Sequence, residues 1–311
     1  MKPDRLLTAA TLAALILIWG TTWGAIRVSL RGIPPITGVA LRFAIASAAL
    51  LALVPFFGVK LGRSRTERWL WLANGLLTFT IPYGILYWAE QWVPSGLAAV
   101  LYATYPLMTA LIAHLLLPEE RLTVWKITGV LIGLAGVVVI FSEDFRALGG
   151  ARVFSAAAIL LICPLCAAFG SVLVKRWGQG VHPLSIAAMP MLITAVLAGA
   201  ASRVLEPDRA VTFGAAPVLA LLYLAIMGSA VTFTLYFWLL KHQTATALSL
   251  ITYAIPVIAV AVGTLFLGEP FTLRIVLGAA LVLVGVAVAM RTRPVRPSRN
   301  RSRRDVPSRQ R

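Results

Sequence analysis

Long apolar stretches separated by short polar linkers dominate the pattern of this chain. Ten such runs occur, and each is close to the ~20 apolar residues that an α-helix needs to cross a bilayer. The runs cover residues 7–26, 36–57, 69–90, 95–117, 124–141, 154–174, 184–202, 217–240, 246–267 and 273–290. The pattern predicts an all-α polytopic membrane protein with ten transmembrane helices.

The second half of the chain repeats landmarks of the first half in the same order. The matched pairs are Leu86-Tyr87 with Leu235-Tyr236, Pro106 with Pro256, Glu119 with Glu269, Thr123 with Thr272, Gly129 with Gly278, and Gly136 with Gly285. Shared landmarks at near-equal spacing indicate an internal repeat. We therefore predict two five-helix repeats, at residues 8–141 and 154–290. Because five is odd, the second repeat enters the membrane in the opposite sense, which is typical of alternating-access transporters.

The composition excludes a soluble enzyme or a DNA-binding domain. Hydrophobic residues make up 59% of the chain and charged residues 13%, against about 45–50% and about 25% in soluble domains. The net charge of +17 owes much to residues 291–311, which hold nine Arg and one Asp. We expect this tail to be disordered and to lie on the anionic lipids of the cytoplasmic leaflet. Nucleic-acid binding is not expected.

The distribution of Lys and Arg between alternate linkers predicts the orientation. With the N-terminus inside, the inner segments carry eleven Lys and Arg before the tail and the outer linkers carry seven. An even number of spans puts both termini on one side. Both termini are therefore predicted to be cytoplasmic.

Two short motifs add a resemblance to a known family. Trp19-Gly20-Thr21-Thr22 lies in the first run and Leu41-Arg42-Phe43 in the second. Together with the repeated Pro, Glu and Gly, they make the chain similar to the EamA-type branch of the drug/metabolite transporter superfamily. The resemblance implies a multi-pass carrier in the bacterial inner membrane. Such a carrier moves small metabolites, amino acids or drug-like compounds, often outward, and is driven by proton or exchange coupling. The Arg-rich tail is not part of the family pattern.

Polar-tipped aromatic and hydroxyl side chains within the runs are the candidates for binding a solute. Such rings bury the apolar part of an amphipathic organic molecule, and their hydroxyl groups form hydrogen bonds. In the third run, helical spacing puts four polar-tipped residues on one face: Thr80, Tyr83, Tyr87 and Glu90. The predicted substrate-binding residues are Trp19, Thr22, Tyr83, Tyr87, Tyr102, Tyr105, Thr252 and Tyr253. Packing between helices is the alternative interpretation.

Charged and helix-breaking residues within the runs are the candidates for coupling and hinge motion. Glu90 is a coupling or gating candidate, and Arg42 is a candidate partner for a carboxylate, because ionisable groups within a membrane default to functional hypotheses. Pro106 and Pro256 are predicted hinges, since a mid-helix proline frees a carbonyl group. The acids of the repeat, Glu119 and Glu269, have a structural interpretation. Each precedes a span, where it complements the N-terminus of a helix, with Thr123 and Thr272 as caps.

No other functional class has support in the sequence. Three His are widely separated, and no metal-binding or nucleophile motif occurs, so neither an enzyme nor a metal or other cofactor is predicted. The two cysteines, Cys163 and Cys166, lie within an apolar run and are interpreted as packing residues. A passive facilitator without ion coupling remains the alternative to a coupled transporter.

Overall fold

The computed structural model describes residues 4–120, 123–141, 150–269 and 272–289, and these residues are mainly helical. No strand occurs within these ranges. Eight of the described helices are long and apolar enough to cross a membrane, and two further apolar helices are shorter. We number the ten segments spans 1 to 10: Arg5–Ser29, Pro35–Leu53, Arg65–Ala89, Ser95–Leu116, Val124–Phe141, Ala151–Trp177, Pro183–Leu205, Ala215–His242, Ala245–Leu267 and Leu273–Ala289. The predicted all-α polytopic fold is confirmed. The Arg-rich tail at 291–311 lies outside the described residues.

The outer surface of the bundle is apolar, which is the reverse of a soluble protein. Large apolar side chains are exposed on several spans, with Leu115, Val124 and Phe266 each more than three-quarters exposed. The buried interior contains many polar groups, among them Arg42 and Glu90. A surface of this kind is stable in contact with lipid.

The helices pack in pairs that the two repeats share. Span 5 packs on span 10 and span 2 on span 7, while the contact of span 1 with span 9 has its counterpart in the contact of span 6 with span 4. Spans 1 to 5 of the first repeat correspond to spans 6 to 10 of the second repeat. The set of contacts stays the same when each span is replaced by its counterpart. Such a pattern is the expected packing of two repeats around a pseudo-twofold axis.

The two faces of the bundle are distinguished by the linkers that meet there. The face at which span 1 begins, here called the N-face, also brings Arg176 next to Leu116 and Glu67 next to Ser185. At the opposite face, Arg209 donates a hydrogen bond to Gln91 over 3.2 Å. The linkers that follow even-numbered spans thus meet at the N-face, and the linkers that follow odd-numbered spans meet at the opposite face. This arrangement is expected if each successive span crosses the whole bundle.

Four of the spans are irregular at corresponding places. Span 3 contains a π-helical stretch at Gly75–Thr80 and span 8 contains one at Ile226–Val231. Span 4 is interrupted at residues 103–104, and span 9 contains a 3₁₀ turn at Leu250–Tyr253. π-Helical turns are rare and occur frequently at functional sites. Each repeat therefore carries this pair of irregularities in the spans that surround the centre of the bundle, and span 6 of the second repeat has a further interruption at Leu161.

Candidate functional site

A cavity of about 80 Å³ lies at the centre of the bundle, between the two repeats. Spans 1 to 4 of the first repeat and spans 6, 8 and 9 of the second repeat contribute to its wall. Seven of the lining residues are aromatic: Trp19, Trp23, Tyr83, Tyr102, Tyr105, Phe233 and Tyr236. A concave, mainly apolar site with a few placed polar groups is the usual form of a small-molecule site.

The rings of the wall hold one another in fixed orientations. The ring centroids of Trp19 and Tyr236 are 5.6 Å apart, and those of Trp23 and Tyr102 are also 5.6 Å apart. Tyr102 stacks on Tyr105 at 6.0 Å. These distances lie within the range at which tilted and offset aromatic pairs are favourable. The wall is therefore a connected aromatic surface that spans the boundary between the repeats.

Three hydroxyl groups form a closed network in the wall. The Tyr105 hydroxyl lies 2.7 Å from the Ser171 hydroxyl and 2.7 Å from the Tyr236 hydroxyl, and Tyr236 and Ser171 are 3.1 Å apart. Buried polar tips need such partners in an apolar medium. The network joins span 4 to spans 6 and 8, so it also connects the two repeats.

Arg42 is the one charged residue among the lining residues that the structure describes. Its side chain is 1% exposed and is held by neutral partners, with Nε donating to Ser229 Oγ over 2.8 Å and Nη2 donating to the Gly228 carbonyl over 3.1 Å. The guanidinium lies over the Tyr83 ring, 4.7 Å from its centroid. No carboxylate lies within ion-pair distance of Arg42 in the described ranges. The cavity wall thus carries a fixed positive charge that protein acids do not neutralise by direct contact.

Near the centre, two buried polar atoms have no hydrogen-bond partner among the described residues. They are the indole Nε1 of Trp19, which lines the cavity, and the hydroxyl of Thr232. A buried donor without a partner costs about 1–3 kcal/mol. Trp19 is therefore a donor suited to hydrogen bonding with a polar group of a bound solute.

The structure brings most of the residues predicted from sequence to this one cavity. Trp19, Thr22, Tyr83, Tyr102, Tyr105, Thr252 and Arg42 all line it. Tyr87 lies behind the wall, fully buried, where its hydroxyl accepts a long hydrogen bond of 3.4 Å from Arg42. The side chain of Tyr253 lies outside the described part of the chain. The structure shows that these side chains lie in the wall, and a binding role for each of them stays a prediction.

Several wall residues were not among the predicted ones. Span 3 contributes Thr78 in place of Thr80, whose hydroxyl instead lies 2.9 Å from that of Thr194 on span 7. The π-helical stretch explains the difference, because its wider turn takes one extra residue and rotates the face that a regular helix would present. Ser171 and Phe233 were missed because serine and phenylalanine within an apolar run carry no distinguishing signal.

The predicted hinge prolines lie just after the helix interruptions. Pro106 is the second residue of the segment Tyr105–Leu116, and Pro256 is the third residue of Ala254–Leu267. At the first positions of a helix the missing N–H of proline is tolerated. The breaks therefore precede the prolines, and hinge motion there stays a prediction.

Glu90 is not in the cavity. It follows span 3 directly at the opposite face, is fully buried, and neither of its carboxylate oxygens has a hydrogen-bond partner among the described residues. Arg27 donates hydrogen bonds to the backbone carbonyls of Glu90 and Val93 and lies 3.6 Å from the Glu269 carboxylate. This cluster is separate from the cavity and lies beside the start of span 4.

The expected roles of the repeated acids were wrong in one respect. Glu269 does complement the N-terminus of a helix, but that helix is span 4 of the other repeat and not span 10. Its counterpart is Glu120, which binds the start of span 9, whereas Glu119 is exposed. Neighbouring glutamates at 119 and 120 made the alignment ambiguous by one residue. Within the described ranges, no group of three His, Cys, Asp or Glu residues is placed to hold a metal ion.

The fold and the cavity define the chain as a polytopic α-helical membrane protein with a central site between two repeats. A model of the EamA-like transporter family matches residues 6–142 and again residues 154–291. The chain therefore belongs to the EamA-like transporter family, whose members are transporters and not enzymes.

Full-length relatives agree with this assignment. The chain is 33% identical to the uncharacterized inner membrane transporter YedA of Escherichia coli K12, over 90% of this chain and 89% of that protein. It is 28% identical to the uncharacterized transporter YoaV of Bacillus subtilis, over 88% of this chain and 93% of that protein. A solved crystal structure matches with a TM-score of 0.69 and 25% identity, over 90% of this chain and 96% of that one. The protein is therefore a multi-pass membrane transporter.

Proposed function

We propose that the protein is a secondary transporter that exports small organic metabolites by alternating access of the central cavity to the two faces. The observation that carries the proposal is the cavity itself, which takes its wall from both repeats. Inverted-repeat transporters bind their solutes at such an interface near the middle of the membrane. Export is the direction that the family resemblance implies.

The chemistry of the wall favours a small solute with an apolar body and a carboxylate, such as an amino acid. A volume of about 80 Å³ is well below the ~300–1,000 Å³ of drug-sized sites. The rings of Trp23 and Tyr102 provide apolar contact, the Trp19 indole provides a donor, and Arg42 provides a positive charge. An amino acid carries a matching group for each of these features, whereas a simple organic cation would meet the charge of Arg42.

Transport measurements with an aromatic variant test the proposal. We expect cells that express the protein to resist a subset of toxic amino-acid analogues, and proteoliposomes to move the same compounds with saturation. Tyr102→Ala removes a ring that contacts two others in the wall, so it should lower the apparent affinity at least about tenfold at unchanged membrane abundance. Trp69→Ala is the matched control, since Trp69 is 46% exposed on the surface. A leak without saturation, or equal effects of both variants, would contradict a binding cavity.

Transport into the same proteoliposomes distinguishes a coupled transporter from a passive facilitator. We propose Glu90 as the proton-coupling group, because its carboxylate is buried, lacks a hydrogen-bond partner in the described structure and adjoins the cluster of Arg27 and Glu269. An imposed proton gradient should drive accumulation in the wild type, and Glu90→Gln should leave only exchange. If exchange without accumulation is already the behaviour of the wild type, the protein is a facilitator.

We propose that both termini are cytoplasmic, so that the N-face is the cytoplasmic face. The excess of Lys and Arg in the linkers of the N-face supports this orientation. Alkaline phosphatase fused after Asp208, in the linker between spans 7 and 8, should be active, and the same enzyme fused after Arg311 should be inactive. A fusion after Arg63, between spans 2 and 3, is the second inactive control. Activity at Arg311 would reverse the orientation.

A further inference from the structure

A buried carboxylate of the second repeat holds the start of span 4 at the opposite face. Glu269 accepts hydrogen bonds from the backbone N–H groups of Ser95 at 2.9 Å and Gly96 at 3.2 Å, and from the Ser95 hydroxyl at 2.8 Å. The Glu269 side chain is 8% exposed. A carboxylate is well suited to this position, since the first N–H groups of a helix have no partner within the helix and carry its positive dipole end.

The first repeat makes the same contact at the N-face. Glu120 accepts from the backbone N–H groups of Ala245 at 3.0 Å and Thr246 at 3.1 Å, and from the Thr246 hydroxyl at 2.5 Å. Glu120 follows span 4 and binds the start of span 9, while Glu269 follows span 9 and binds the start of span 4. Spans 4 and 9 therefore hold each other at both faces through one carboxylate each.

At each face a cation binds carbonyl groups of the chain that leads to the capped helix. At the opposite face, Arg27 of span 1 donates to the carbonyls of Glu90 and Val93 in the loop that leads into span 4. At the N-face, Lys175 of span 6 donates to the carbonyl of Leu240 in the last turn of span 8 at 2.8 Å and to that of Gln243 in the loop before span 9 at 2.6 Å. Span 6 is the counterpart of span 1, so the two arrangements have equivalent parts.

The interruptions divide spans 4 and 9 into halves that pair separately at the two faces. The first half of span 4, Ser95–Tyr102, packs on the second half of span 9, Ala254–Leu267. The second half of span 4 packs on the first half of span 9. The central cavity lies at the interruptions, because Ala103 and Thr252 both line it. Each pair of half-helices thus lies between the cavity and one face of the bundle.

Gly263 leaves room beside span 9 for the Glu269 carboxylate, and any side chain at position 263 would take that room. A Cβ atom on Gly263 would lie 2.5 Å from Glu269 Oε2 and 3.2 Å from Ser95 Oγ. The Gly263 carbonyl also accepts a hydrogen bond from the Glu269 backbone N–H over 3.1 Å. The loop after span 9 is therefore shaped to present this carboxylate to the other repeat.

We propose that Glu269 and Glu120 are the latches of two opposite gates, an inference that rests on the proposed alternating-access transport. Opening the cavity to the opposite face requires Glu269 to release Ser95 and Gly96 while Glu120 keeps its partners. Opening it to the N-face requires the reverse. In this structure both latches are made, so each half-helix pair is held together at its own face. Arg27 and Lys175 hold the loops against which the latches close.

Accessibility of a thiol introduced into the cavity tests the proposal. Thr22→Cys places this thiol in the wall, and a membrane-impermeant maleimide is applied to right-side-out and to inverted vesicles of the full chain. The parent protein with its native Cys163 and Cys166 gives the background. We expect Glu269→Gln to raise labelling of the introduced thiol from the opposite face about tenfold, since a glutamine cannot accept from both N–H groups with two carboxylate oxygens. Glu120→Gln should raise labelling about tenfold from the N-face only.

Glu119→Gln is the matched control, because it makes the same change of charge one residue away on an exposed side chain. Labelling in that variant should equal that of the Thr22→Cys protein without a glutamine substitution. Hydrogen exchange of the peptides that contain Ser95 and Ala245 confirms in parallel that each variant has lost only its own cap.

The results separate the latches from the transport model. If each cap is lost in hydrogen exchange but labelling stays unchanged, the two acids are structural caps and the latch proposal is overturned. Increased labelling from the same face in both variants overturns it as well. If the maleimide can reach the introduced thiol from both faces at the same time before either glutamate is replaced, alternating access itself is wrong. This conclusion does not depend on the glutamine variants.

Discussion

Replacing Arg42 by methionine is expected to lower transport about 10- to 100-fold while the protein remains folded in the membrane. Arg42 contributes the one charge found among the described lining residues, and a hydrogen bond to a charged group is worth about 1.5–3 kcal/mol. Loss of that interaction with a solute carboxylate accounts for the expected change. The measurement is the rate of uptake into inverted vesicles at limiting solute concentration, normalised to the amount of protein.

Two comparisons separate a binding role of Arg42 from a packing role. Arg42→Met should discriminate less between an amino acid and the amine formed by removing its carboxylate, whereas the wild type should prefer the amino acid strongly. Ser229→Ala removes one acceptor of Arg42 but keeps its charge, so this variant should retain the preference and lose less activity. Wild-type transport by Arg42→Met would show that the guanidinium serves the fold alone.

Adding one methyl group at Gly136 or at Gly285 is expected to destabilise the protein by about 1–3 kcal/mol. A Cβ atom on Gly136 would lie 2.6 Å from the Gly278 carbonyl oxygen, and one on Gly285 would lie 2.5 Å from the Gly133 backbone nitrogen. The neighbours are backbone atoms that cannot rotate away, so spans 5 and 10 would have to separate. Membrane helices associate closely through such small residues.

Thermal unfolding in detergent measures this effect. Gly136→Ala and Gly285→Ala should each lower the melting temperature, although alanine by itself favours a helix over glycine by about 1 kcal/mol. Gly199→Ala is the matched control, because a Cβ there meets no atom within 4 Å. Its melting temperature should stay the same or rise. An equal response at Gly136 and Gly199 would contradict the close approach of spans 5 and 10.

The apolar runs were sufficient to predict the spans because the bilayer imposes a length and a polarity on every crossing segment. The run at 184–202 became Pro183–Leu205, and the run at 95–117 became Ser95–Leu116. Most of the cavity wall could also be predicted, since a ring with a polar tip such as Tyr102 is costly to bury in lipid without a function or a partner. The spacing of a regular helix gave a wrong prediction in span 3, where Thr78 lines the cavity and Thr80 does not.

The sequence by itself determined the number of spans, the repeat and most of the polar aromatic wall. These features depend on the order of residues along one chain segment, which the pattern of apolar positions records directly. Only the tertiary structure decided which carboxylate meets which helix. Glu120 and Glu269 act across the boundary between the repeats, on residues 125 and 174 positions away. No local pattern specifies such a partner, because the contact exists only after the two repeats have packed against each other.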